Sequence, residues 1–215
     1  YLLLQRRFRA AGTAVATFVG AGLVGAVAAP GESATYWLHG TFAAADRISP
    51  VDVVANHTLN GLLTRLLGPG PLTTAGYLLG AAVLVLATLV VALRASRQGD
   101  ELLAVSLCGL CSAAAAPFAW SHHWVWVVPV LVALAARAAA GSRTAGVLAG
   151  VVLASTIAVI TALPGPDVGP IPSTGLISLF PDAYLLLFVL LLATGSGTAK
   201  GPAGVAGPFA SAVSR

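Results

Sequence analysis

Two short stretches hold most of the residues that could do chemistry. In Trp120-Ser121-His122-His123-Trp124-Val125-Trp126, two adjacent imidazoles, a hydroxyl and three indoles fall within seven residues. Imidazole donates hydrogen bonds to phosphate or sugar oxygens and changes charge near neutral pH. The indoles also suit a membrane-surface belt, because each joins an apolar body to one N–H donor. A metal site is the weaker reading, since adjacent His side chains diverge and no further local ligand completes a set. Neither a metal nor a cofactor is expected.

The second stretch is Val51 to Leu67. Asn56, Asn60 and Thr64 recur every four residues and would form one stripe on a helix, with Val53, Leu59, Leu62, Leu63, Leu66 and Leu67 opposite. This spacing predicts an amphipathic helix over 51–67, lying at the membrane surface without crossing it. Such a helix either solvates its polar face or walls a polar cleft. In the cleft, Asn56 and Asn60 would bind sugar hydroxyls, and Arg65 or Arg47 would bind phosphate through the planar guanidinium fork.

Other features carry less. Tyr36-Trp37 reads as an interfacial anchor or a sugar-stacking pair, and Asp46-Arg47 as a turn cap or ion pair. Cys108 and Cys111 have no nearby partner and read as packing residues. Gly76-x-x-x-Gly80 and Gly146-x-x-x-Gly150 permit close helix contact. The Asn56-His57-Thr58 sequon is of a kind common by chance.

These residues must be held by a membrane protein. Of 215 residues, 58% are hydrophobic and 8% charged, too few charges to clothe a soluble domain. The apolar residues come in long runs rather than alternating, which argues against an outer-membrane β-barrel and leaves an all-α, polytopic helical membrane protein. Six spans are expected, at about 11–29, 72–93, 102–118, 124–136, 145–163 and 183–194. Nine of the eleven basic residues (Arg6, Arg7, Arg9, Arg94, Arg97, Arg137, Arg143, Lys200 and Arg215) fall on one side of an alternating six-span topology, and Arg47 and Arg65 on the other. The positive side is cytoplasmic. The 30–71 stretch, the Ser-His-His turn and the 164–182 loop then face outward across a plasma membrane. The net charge of +4 is thus a topology signal, and no nucleic-acid partner is expected. Residues 1–194 form the membrane domain, and the Gly/Ser/Ala/Pro-rich residues 195–215 read as a disordered cytoplasmic tail. The chain starts at Tyr1, contains no Met and meets Arg6-Arg7-Phe8-Arg9 almost at once, so it reads as a piece of a longer protein.

Ala116-Pro117-Phe118-Ala119-Trp120-Ser121-His122-His123-Trp124-Val125-Trp126 resembles the Ser-Pro-x-Ser-Trp-x-His-His-Trp-x-Trp segment of actinobacterial glycosyltransferase family 87. Asn56-His57-Thr58-Leu59-Asn60-Gly61-Leu62-Leu63-Thr64-Arg65 is similar to that family's Asn-Gln-Ser-Leu-x-Gly-x-x-x-Arg segment, with His57 in place of Gln and Thr58 in place of Ser. The resemblance covers about residues 10–194. It implies the C-terminal part of a GT-C fold and an extracytoplasmic site. The implied donor is a polyprenyl-phosphate-linked sugar, mannose above all, and the implied acceptor a cell-envelope glycolipid or glycan. The catalytic base would be a carboxylate in a more N-terminal part of the family's fold. The candidate substrate-binding set is Asn56, His57, Asn60, Arg65, Trp120, Ser121, His122 and His123. A transporter or flippase and an inactive membrane scaffold are the competing classes. A transporter calls for ionisable residues deep within spans, and the third to sixth spans hold none.

Overall fold

The computed structural model describes residues 1–47, 49–162 and 182–194; among them the chain is helical, with no strand. The helices are α1 (Phe8–Ala28), α2 (Pro30–Leu38), α3 (Leu59–Leu67), α4 (Pro71–Arg97), α5 (Glu101–Ala114), α6 (Val127–Ala139), α7 (Arg143–Ala162) and α8 (Ala183–Thr194). The chain is an all-α, polytopic membrane protein. Most of the expected outer loop at 164–182 and all of the expected tail at 195–215 lie outside the described residues.

Each of the six expected apolar stretches contains a helix, the third ending at Ala114 rather than at 118. Four helical segments are long and apolar enough to cross a membrane: α1, α4, residues 121–139 and α7. α5 and α8, at 14 and 12 residues, are shorter. At ~1.5 Å per residue each falls short of a ~30 Å hydrocarbon layer. The expected count of six is therefore met in apolar helices but not in crossing lengths.

α5 is the centre of the bundle and packs against α4, α6 and α8. Its sequence explains this place: Ala104, Ser106, Gly109, Cys111, Ala113 and Ala114 are small and buried, so neighbouring backbones approach closely. Gly109 lies against the Trp126 indole, and a Cβ there would enter the ring. α1 contrasts with α5. It has no buried residue, and its packing partner is α2, which turns back so that Trp37 meets Phe18 edge-on at 5.7 Å. The 30–71 stretch is thus more ordered than a polar loop. Pro30 starts α2, and a 3₁₀ turn at Ala45–Arg47 sets the Arg47 guanidinium 5.3 Å from the centre of the Tyr36 ring.

The expected helix over 51–67 is corrected. Only its second half, α3, is α-helical. Thr58 has extended backbone angles, and its hydroxyl accepts the Gly61 N–H at 3.0 Å, the geometry of an N-cap, which starts the helix at Leu59. Nine residues rise only ~14 Å, so α3 cannot cross a bilayer. It lies along the start of α4 instead. Gly76 and Gly80 leave a trough that receives Leu63 and Leu59, and a Cβ at Gly80 would stand 2.7 Å from Leu59.

Two residues of the expected basic side, Arg7 and Arg137, meet carboxylates at the start of α5. Glu101 accepts hydrogen bonds from Tyr1 at 2.9 Å, Arg7 at 2.7 Å and Ser96 at 2.7 Å. Asp100 caps α5 through the Leu103 N–H and pairs with Arg137 at 2.8 Å. The two carboxylates between α4 and α5 thereby tie the N-terminal stub to α6.

Candidate functional site

Between α5 and α6 the chain leaves the helix from Ala115 to Trp120. Backbone polar groups at such a place must find partners within the protein. Four of them find partners in the 56–77 region. The Tyr77 hydroxyl donates to the Ala115 carbonyl at 2.8 Å, and the Asn60 amide to the Pro117 carbonyl at 3.1 Å. The Ala119 N–H donates to Asn56 Oδ1 at 3.3 Å, and the Ala119 carbonyl accepts the His57 N–H at 3.0 Å. Pro117 has no N–H to satisfy. The two stretches singled out by sequence are therefore joined, with Asn56, His57 and Asn60 at the joint.

Asn56, His57 and Thr58 are buried, at 0%, 1% and 0% exposure, which places them inside the protein rather than on a cleft wall. Asn56 uses both ends of its amide: Nδ2 donates to the Val51 carbonyl at 2.9 Å, and Oδ1 accepts from Thr58 at 2.9 Å as well as from Ala119. Gly61 is required beneath it, because a Cβ there would lie 2.5 Å from the Asn56 carbonyl oxygen. The His57 ring meets Tyr184 of α8 edge-on, with centroids 5.4 Å apart.

The Ser-His-His turn is a 3₁₀ segment, Ser121–Trp126, that leads into α6. It is closed by a reciprocal pair of bonds: the His123 N–H donates to the Trp120 carbonyl, and the Trp120 N–H donates to His123 Nδ1, both at 3.0 Å. An accepting Nδ1 means that the His123 proton sits on Nε2, which is the donor left to point elsewhere. Ser121, His122 and His123 are exposed. The His122 ring lies 4.4 Å from His123 and 5.9 Å from Trp120, which is half-buried. The belt reading fails for Trp124. It is 1% exposed and stacks on Tyr184 at 5.3 Å with the planes 10° apart. Trp126 keeps more surface but packs on Gly109.

Arg65 reaches from the last turn of α3 toward α8. Nη1 donates to the carbonyls of Val53 at 2.9 Å and Asn56 at 3.1 Å, and Nη2 pairs with Asp182. Asp182 is 1% exposed on its side chain, and Arg65 16%. Burial pushes the Asp182 carboxyl above its ordinary range, and the Arg65 guanidinium draws it back in part. Asp182 and Tyr184 were not among the residues singled out by sequence. The available signal was a lone carboxylate at the entrance to a twelve-residue apolar run, which reads first as a helix-start residue. Arg47 stays with Tyr36, away from this group. Cys108 and Cys111 are free thiols on α5. Among the described residues there is no cluster of three His, Cys, Asp or Glu side chains.

The family model "Glycosyltransferase family 87" matches residues 1–117. That match takes in the Asn56–Arg65 segment and stops short of the Ser-His-His turn. The chain is 36% identical over 134 residues to a polyprenol-phosphate-mannose-dependent α-(1-2)-phosphatidylinositol mannoside mannosyltransferase of Mycobacterium tuberculosis; the match covers 62% of this chain and 31% of that protein. It is 34% identical over 156 residues to a polyprenol-phosphate-mannose-dependent α-(1-2)-phosphatidylinositol pentamannoside mannosyltransferase of the same species, covering 68% of this chain and 34% of that protein. A phosphatidylinositol mannoside mannosyltransferase of Mycolicibacterium smegmatis is 36% identical over 147 residues, covering 64% of this chain and 33% of its own length. The chain thus spans about a third of the length of the curated relatives it matches. No solved structure matches it significantly.

Proposed function

The chain belongs to glycosyltransferase family 87, and on that premise we propose that it is part of a membrane mannosyltransferase. The enzyme moves mannose from a polyprenyl-phosphate donor to a mannoside glycolipid at the extracytoplasmic face of the bacterial plasma membrane. The observation that carries this reading is the likeness to mannosyltransferases of one donor class, at 34–36% identity.

The reaction breaks the bond between the anomeric carbon and the donor's phosphate oxygen and forms one to an acceptor hydroxyl. The acceptor's proton goes to a base, and polyprenyl phosphate leaves with the bonding electrons. The leaving phosphate gains charge, so cations and N–H donors fixed beforehand lower the barrier. His122, the Nε2 side of His123, Ser121 and Trp120 form the donor-facing surface in this reading; they are the accessible members of the candidate set. Arg65 provides positive charge for the leaving phosphate. Asn56, His57 and Asn60 act one step back: they hold the 115–119 backbone and so fix where the turn begins.

The test is mannosyl transfer by membranes carrying the full gene product, with radiolabelled polyprenyl-phosphate mannose as donor and phosphatidylinositol mannosides as acceptors. Replacing His122 and His123 together with Ala is expected to lower transfer by about 10²–10³-fold, the scale for loss of fixed transition-state donors, while membrane insertion stays unchanged. Full activity in that double variant removes the turn from the site. An absence of mannose transfer by the unmodified protein refutes the reading itself.

A further inference from the structure

Arg65 holds five N–H donors in a plane. Three are engaged, two from Nη1 and one from Nη2. Nε, the neighbour of Nη2 on the same guanidinium carbon, takes part in none of these bonds. Nε is buried and has no hydrogen-bond partner. A buried donor left unpaired carries a cost, and the more so on a cation. The surroundings do not relax it: the Val53 and Asn56 carbonyls hold Nη1, and Asp182, at 1% exposure, holds Nη2 through a single carboxylate oxygen. The guanidinium is thus held through Nη1 and Nη2, while Nε has no partner; Nε and Nη2 are the two guanidinium nitrogens that a phosphate can bridge.

Resting on the mannosyltransferase reading, we propose that Asp182 is a positioning residue, which holds Arg65 so that its Nε and Nη2 donors receive the phosphate headgroup of a polyprenyl lipid. Asp182 does not touch the phosphate. It orients the cation that does and, because it precedes Tyr184 by two residues, it fixes α8 to the His57 and Trp124 rings at the same time.

The experiment uses the full gene product in detergent, with farnesyl phosphate as probe and farnesol and inorganic phosphate as controls. A ligand that binds the folded state alone raises the unfolding temperature. Farnesyl phosphate is expected to raise it, farnesol to leave it unmoved and inorganic phosphate to act only at far higher concentration. Asp182→Asn is expected to weaken farnesyl phosphate at least tenfold, and Asp182→Glu to recover part of that loss. The decisive variant is the exchange Arg65→Asp with Asp182→Arg. It restores an ion pair between α3 and α8, so the unfolding temperature without ligand returns toward the unmodified value, while farnesyl phosphate binding stays lost. Recovery of binding in the exchanged protein overturns the proposal and leaves the pair a structural tie. Unchanged binding in Asp182→Asn overturns it as well, as does equal stabilisation by farnesol or by inorganic phosphate. The transfer assay separates this inference from the reading it rests on. Asp182-dependent farnesyl phosphate binding without mannose transfer removes the enzyme reading and keeps the site. Transfer with an unchanged donor KM in Asp182→Asn removes the site and keeps the enzyme.

Discussion

Two arginine–carboxylate pairs at opposite ends of α4 solve the same problem in opposite ways. At the basic end Arg7 meets Glu101 with 48% and 37% of their side chains exposed, and the cluster extends through Tyr1 and Ser96. At the other end Arg65 meets Asp182 under cover, and the rest of its donors are aimed at carbonyls or left open. An exposed pair gains little, because water and salt screen it and two long side chains must be held still. A buried pair is costly to assemble and costlier to break, since removing one partner strands a charge. The Arg7–Glu101 pair therefore asks little of its geometry, whereas Arg137 and Asp100 at the same end, 12% and 19% exposed, are held more closely. The polar end depends on where each atom lies.

That contrast can be broken by substitution. Arg65→Ala leaves the Asp182 carboxylate buried without its cation and is expected to destabilise the folded protein by about 3–5 kcal/mol, seen as a large fall in unfolding temperature in detergent. A fall no bigger than that of a surface variant would make the two ends equivalent. Gly61→Ala tests the joint from beneath. The added methyl meets the Asn56 carbonyl, so a loss of about 1–3 kcal/mol is expected from overpacking, together with reduced mannose transfer. A variant with wild-type stability would mean that the Asn56 turn gives way easily. The smallest effect belongs to the basic end. Arg7→Ala is expected to cost about 0–1 kcal/mol, and what it does cost should shrink as salt is raised. A loss comparable to that of Arg65→Ala would show that the Glu101 cluster carries more than an exposed pair does.

Much of the architecture was legible in local pattern. Each of the six apolar stretches contains a helix, and two of the basic residues expected on one side, Arg7 and Arg137, meet the adjacent carboxylates Glu101 and Asp100. The start of α3 was misplaced, because four-residue spacing looks helical wherever it falls. The Thr58 cap and the backbone needs of 115–119 decided otherwise. The pair of stretches that form the candidate site was also visible, though not the division of labour within it. Asn at two positions suggests hydroxyl binding until the nearest partner proves to be a non-helical backbone with unsatisfied groups. Trp124 suggests a membrane belt until Tyr184 is set beside it. Asp182 was the least legible, since its partner lies 117 residues away and no local rhythm announces it.

The glycine trough on α4 has a mechanical consequence. α4 is 27 residues long, and its apolar part, 72–93, rises about 33 Å, slightly more than a ~30 Å hydrocarbon layer. A rod of that length leans in a thin bilayer and stands straighter in a thick one. Leu59 and Leu63 are geared into Gly80 and Gly76 near its first turns, so α3 rides on the lever's end. The height of Arg65 relative to the lipid headgroups is then set by membrane thickness as well as by the protein's own bonds.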